Sequence, residues 1–220
     1  MQIVRQKHLI GTRWFHWINF PLIFVMIWSG MLIYWAFPTY SIGPIHFFPR
    51  WVYNLMNIPQ RLAEGMALHF FFMWLFVLNG VLYVSYTVVS GEWRYLVPQS
   101  SSVFRDAWFV VMHDLRLKRD LPPQEKYNAA QQIAYTAIVL MGAGSVLTGL
   151  AVYKPAQLGW LTALFGGYET ARMFHFTLTV LYLVFFAVHV AQVIVAGWNN
   201  FRSMMSGWEM VNEEERTPAS

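Results

Sequence analysis

The stretch Glu169–Asn199, ETARMFHFTLTVLYLVFFAVHVAQVIVAGWN, is an apolar run carrying two histidines, His175 and His189, fourteen residues apart. At about 3.6 residues per turn, fourteen residues make nearly four whole turns, so both rings leave the helix on roughly one face. At ~1.5 Å per residue they lie roughly 21 Å apart along the axis, one in each half of a bilayer. An ionisable side chain at membrane depth is costly, and its presence points to function. The remainder of the chain has to supply partners for these two rings.

The composition agrees with a membrane setting. Of 220 residues 57% are hydrophobic and 18% aromatic, and only 12% are charged, against about 25% in an ordinary soluble domain. Cysteine is absent, which excludes disulfides, thiolate haem ligation and Cys-ligated iron–sulfur clusters. The net charge of +4 is explained by topology rather than by a nucleic-acid partner, and none is expected. The first apolar run, of ~20 residues, is too long for a signal h-region and lacks an A-x-A-like site, so it reads as a retained helix.

Four segments are long enough to cross a membrane: about Trp14–Phe37, Leu62–Val89, Ala129–Tyr153 and Ala171–Trp198. Lys and Arg set their orientation. Eleven lie in the N-terminal flank, the second loop and the C-terminal flank, against four (Arg50, Arg61, Lys154, Arg172) on the opposite side. The positive-inside rule then places both termini and the second loop in the cytoplasm. Trp14, Trp35, Trp51, Trp93, Trp160 and Trp198 fall near the interfaces, as an aromatic belt does. The expected fold is an all-α integral membrane four-helix bundle over residues 1–200, with 201–220 a partly disordered cytoplasmic tail. Within the second loop, Val103–Leu117 (VFRDAWFVVMHDLRL) reads as an amphipathic helix on the membrane surface.

Of the seven histidines, His8, His46 and His113 lie outside the spans and read as solvated or interfacial. His16, His69, His175 and His189 lie within them. Helix one enters from the cytoplasm, so His16, three residues after Arg13, is in the cytoplasmic half. Helices two and four enter from outside, placing His69 and His175 in the outer half and His189 near the cytoplasmic end. The depth-matched arrangement is His16 with His189 and His69 with His175. Two bis-imidazole sites, one above the other, suit two haems engaged in electron transfer, because no coordination position is left open for substrate. No acidic residue stands at zinc-ligand spacing and there is no H-E-x-x-H pattern.

Small residues provide room for such flat groups: Gly30, Gly80, Gly142, Gly144, Ser145 and Gly149, with small-residue helix packing as the alternative use. Arg13-x-x-His16 and Arg172-x-x-His175 place a guanidinium one turn nearer the water than a histidine. Each suits a haem propionate; snorkelling at a helix end is the alternative. Asn128 opens helix three at the cytoplasmic face as a good N-cap, with Gln131 and Gln132 in the next turn. Amides there suit a quinone carbonyl, although capping alone also explains Asn128.

R-W-F-H-W at 13–17, Ser29-Gly30, His69, K-Y-N-A-A-Q-Q-I-A-Y at 126–135 and the His175/His189 spacing together resemble the membrane cytochrome b family. Its members include the cytochrome b subunits of formate dehydrogenase, Ni/Fe hydrogenase and thiosulfate reductase. The resemblance runs from Arg13 to Asn199 and implies a four-helix bundle, two b haems on the four histidines, and a quinone site near the cytoplasmic haem. It also implies a quinone contact for Asn128, leaving open which glutamine joins it.

The expectation is therefore a dihaem subunit of a respiratory oxidoreductase in the bacterial or archaeal inner membrane. It would move electrons between an extracytoplasmic redox subunit, of iron–sulfur, molybdenum or hydrogenase type, and a cytoplasmic-side menaquinone or ubiquinone pool. Substrate catalysis would rest on the partner, expected to dock on the aromatic loop 38–61 and on Lys154–Thr170. Two other readings use the same residues. One is a self-sufficient small cytochrome b oxidising superoxide or another diffusible donor; the other is a haem-free scaffold or transporter.

Overall fold

The computed structural model describes residues 2–36, 49–58, 60–114, 116–117 and 127–212. His46, Phe37, Phe47, Phe48, Lys118, Arg119, Lys126 and Glu213–Glu215 lie outside them. In chain order the elements are β1 (Gln2–Gln6), α1 (Ile10–Tyr34), α2 (Arg50–Leu55), α3 (Leu62–Val89), α4 (Trp93–Leu96), α5 (Val103–Asp114), α6 (Ala129–Tyr153), α7 (Gly159–Leu164), α8 (Tyr168–Ser206) and β2 (Trp208–Asn212). Among the described residues α1, α3, α6 and α8 are long and apolar enough to cross a membrane. Two of them match the expected spans to the residue, whereas α1 starts four residues early and α8 overruns at both ends. The spans keep large apolar side chains outside: on α3, Phe71, Trp74, Leu78 and Val81 are each more than half exposed. Apolar area of this size costs roughly 25 cal/mol per Å² in water and nothing in lipid.

The chain divides into two compact units, residues 1–83 with 183–220, and residues 84–182. In the first, α1 and α3 approach closely at Gly65. A Cβ built there would stand 2.8 Å from Leu32 Cβ, 3.0 Å from the Ser29 carbonyl oxygen and 3.1 Å from Ile33 N. Only a residue without a side chain lets two helix backbones meet at that distance. One turn beyond His16, Asn79 Nδ2 donates to Asn19 Oδ1 at 2.7 Å, a polar tie between α1 and α3. Phe24 packs edge-on to Phe20 and Phe186, joining α1 to α8.

Sequence reasoning missed how this unit closes at the termini. Helix α8 breaks at Gly197 (φ 79°) and resumes to Ser206, so the chain stays regular past the expected end of the span. Gly207 (φ 92°) turns it back, and β2 then pairs antiparallel with β1, from Gln6↔Trp208 to Gln2↔Asn212. Both glycines adopt a backbone that side chains strain. The Asn199 side chain engages the other edge of β2, accepting from Met210 N at 3.0 Å and donating to its carbonyl at 2.8 Å. Buried Glu209 accepts from Arg5 at 2.6 Å and pairs with Lys7 at 2.8 Å.

That carboxylate makes the clasp sensitive to acid. Burial alone would raise the Glu209 pKa, but the hydrogen bonds from Lys7 and Arg5 and their charges outweigh it and hold the group below its ordinary value of 4.5. A depressed folded pKa contributes stability that is complete above the unfolded value and lost as pH falls through the folded one. Amide hydrogen exchange in β1 and β2 should therefore be unchanged from pH 7 to 5 (after correction for the intrinsic rate) and should accelerate below about pH 4. Glu209→Gln should show the fast exchange already at pH 7.

In the second unit the core is Ala151, Leu161 and Ala171, with Leu150, Val152, Leu158 and Phe165 against it. Thr162 Oγ1 on α7 donates to the Ala151 carbonyl at 3.0 Å, satisfying an end-of-helix acceptor of α6. Helix α5 is amphipathic in an unusual sense. Val103, Ala107 and Val110 are buried, and Phe104, Trp108 and Val111, one position on, are exposed. Helix α5 packs on α6, and the exposed stripe suits an interfacial helix with an apolar face in the lipid boundary.

Candidate functional site

His16 and His189 come together within the first unit, with ring centroids 6.1 Å apart and planes tilted by 56°. Two imidazoles on opposite sides of one first-row metal, each bonded at about 2 Å, have centroids roughly 6 Å apart. The separation fits a single iron between them. His189 stacks on Phe185 (5.8 Å, 5°). Trp17, next to His16, donates from Nε1 to the Met204 carbonyl at 3.1 Å, tying this turn of α1 to the end of α8. His16 Nδ1 is buried and has no hydrogen-bond partner among the described residues, a costly state for a polar atom unless something else occupies the site.

His69 and His175 lie in different units, and each is held inside its own. Ser29 Oγ on α1 meets His69 Nδ1 at 2.9 Å, and Thr148 Oγ1 on α6 meets His175 Nδ1 at 3.0 Å. A glycine lies beside each ring: a Cβ on Gly30 would sit 3.7 Å from His69 Cε1, and one on Gly149 only 3.2 Å from His175 Cε1. Both thus clear space for imidazoles. Of the other expected small residues, Gly80 faces open space, Gly142 lies by the Tyr182 hydroxyl and Gly144 by Leu178. Gly65, where backbones do meet, escaped sequence reasoning because a lone glycine in an apolar helix carries no mark of what it faces.

Arg13 Nε is buried without a hydrogen-bond partner among the described residues, and its Nη1 would meet a Cβ on Gly207 at 2.7 Å. Arg172 differs, since its Nη1 pairs with Glu169 at 3.5 Å. Asn128 and Gln131 form a reciprocal capping box: Asn128 Oδ1 accepts from Gln131 N at 2.9 Å and Gln131 Oε1 from Asn128 N at 3.1 Å. Gln132 Nε2 reaches the Tyr127 carbonyl at 3.4 Å. The cap consumes the amide oxygens and leaves the amide N–H groups outside it.

Among the described residues no three of His, Asp or Glu gather as a bare metal ion would require. A haem iron needs only two ligands from the protein, and paired imidazoles would supply them. Apolar helices of membrane-spanning length with such a pair define a membrane electron-transfer cytochrome of the b type.

The comparisons make the class specific. The family model described as prokaryotic cytochrome b561 matches residues 7–207, and the chain belongs to that family. It is a multi-pass protein of the bacterial inner membrane, and its family implies haem b. The chain is also 31% identical over 180 residues, 81% of its length and 85% of the relative's, to the protein of Azospira oryzae named "Putative protein-methionine-sulfoxide reductase subunit YedZ1". No solved structure matches it.

Proposed function

We propose that this cytochrome carries two b haems, one on His16 and His189 toward the cytoplasm and one on His69 and His175 in the outer half of the membrane. The 6.1 Å approach of His16 to His189 is the observation that carries the reading. The second pair rests on the matched depth of its histidines in the sequence and on the hydroxyl and glycine beside each ring. The Lys and Arg distribution supports a cytoplasmic position for both termini.

When bound, a bis-imidazole haem takes up and releases single electrons without an open coordination position. The protein's own groups do the rest. The histidines bind and orient, the apolar helices exclude water, and Arg13, with its buried Nε unpartnered among the described residues, receives a propionate. Arg172 takes the same role in the outer half in competition with Glu169. Electrons pass between a cytoplasmic-side quinone, menaquinone or ubiquinone, and an extracytoplasmic redox subunit on which substrate chemistry takes place. The Azospira relative is named as a subunit of a protein-methionine-sulfoxide reductase, so the partner we favour is the catalytic subunit of such a reductase, fed by quinol.

Reduced-minus-oxidised spectra with haem extraction should give two b haems per purified chain, both reduced by a quinol analogue. A single haem, or none, would sink this reading. The quinone contact separates from capping by substitution. Asn128→Ser keeps a capping oxygen, whereas Asn128→Ala removes it, at about 1 kcal/mol. If the Asn128 amide contacts quinone, both variants should lower quinol-dependent haem reduction at least tenfold, with only the alanine variant losing stability. Full activity in the serine variant would leave Asn128 a cap alone.

A further inference from the structure

Ser29 and Thr148 stand in the same relation to their histidines. Ser29 Oγ lies 2.7 Å from the Val25 carbonyl oxygen as well as 2.9 Å from His69 Nδ1. Thr148 Oγ1 lies 2.7 Å from the Gly144 carbonyl oxygen and 3.0 Å from His175 Nδ1. A hydroxyl has one proton. Two oxygens at 2.7 Å with no proton between them would repel, so the proton belongs on the bond to the carbonyl four residues back. The hydroxyl then has only lone pairs to offer, and the ring must donate from Nδ1–H. Both hydroxyls are buried, Ser29 at 0% and Thr148 at 2% exposure, so water does not compete for them.

We propose that Ser29 and Thr148 are positioning residues that fix His69 and His175 as Nδ1–H tautomers, leaving Nε2 as the metal-binding nitrogen. Resting on the two-haem reading above, this assigns both hydroxyls to the same haem. Accepting a hydrogen bond from Nδ1–H gives the imidazole more anionic character and makes it a better donor to ferric iron. That favours the oxidised haem and lowers its potential. His16 Nδ1 has no such acceptor among the described residues, and Ser29 and Thr148 touch only His69 and His175 among the four histidines, so their effect falls on the haem proposed for that pair.

The test is an optical redox titration of the purified protein as wild type and as Ser29→Ala, Thr148→Val and Thr148→Ser. Alanine and valine should each raise the midpoint potential of one haem, the one that His69→Ala or His175→Ala removes, and leave the other unmoved. The Ser29→Ala/Thr148→Val double variant should raise that same haem further, and Thr148→Ser, which keeps the hydroxyl, should titrate as wild type. Loss of that haem alone from Ser29→Ala is the strong form of the same result. Unchanged potentials in Ser29→Ala and Thr148→Val, equal movement of both haems, or a Thr148→Ser shift as large as that of Thr148→Val would overturn the assignment. A wild-type protein without two haems would fail at the earlier step, a result these titrations distinguish.

Discussion

His189→Ala, purified and reduced, is expected to hold half the haem of the wild type, and His16→Ala should lose the same half. The reason is geometric. An iron held as proposed between rings 6.1 Å apart would depend on both, and a small apolar substitute offers no lone pair in their place. The His16→Ala/His189→Ala double variant should lose no more than either single one, the non-additivity expected of groups that act as a unit. Combining His16→Ala with His175→Ala should empty the protein. Haem per chain by extraction, with the low-temperature α-band of the haem that remains, reads every variant. If His16→Ala and His189→Ala removed different haems, the depth pairing would be wrong.

The second large effect is expected at Gly65. In Gly65→Ala the new methyl would stand at 2.8 Å from Leu32 Cβ, 3.0 Å from Ser29 O and 3.1 Å from Ile33 N. Two of these neighbours are backbone atoms that no rotamer change can move, so α1 and α3 must part. Overpacking of this kind costs about 1–3 kcal/mol, which lowers the melting temperature by several degrees in a chain of this size. The displaced residue is Ser29, so the haem proposed on His69 should also become labile. Gly80→Ala is the control: nothing lies within 4 Å of its Cβ, and stability and haem content should hold. Equal behaviour of the two variants would mean that the α1–α3 contact has slack.

The contrast between Gly65 and Gly80 shows how far the sequence could be read. Both are single glycines in one apolar helix, and the reading that found room for flat groups included Gly80 and passed over Gly65. Asn128 and Gln131 were legible as an N-cap and a nearby amide. Their reciprocal bonds turn both oxygens inward and restrict any ligand to the N–H groups. Ser29 was visible only as part of a motif. Its bond to His69, forty residues away, follows no helical period.

By itself the sequence carried the four segments of membrane-spanning length and the expected depths from which the proposed histidine pairs follow. These are one-dimensional quantities, set by bilayer thickness against a rise of about 1.5 Å per residue and by where Lys and Arg fall. Only the tertiary structure decided which glycine lets backbones touch, which hydroxyl lies against which ring, and that the two ends of the chain close on Glu209 across 204 residues. Each of these depends on short contacts between atoms distant in sequence. Such contacts vary steeply over tenths of an ångström, a scale that hydropathy and spacing average away.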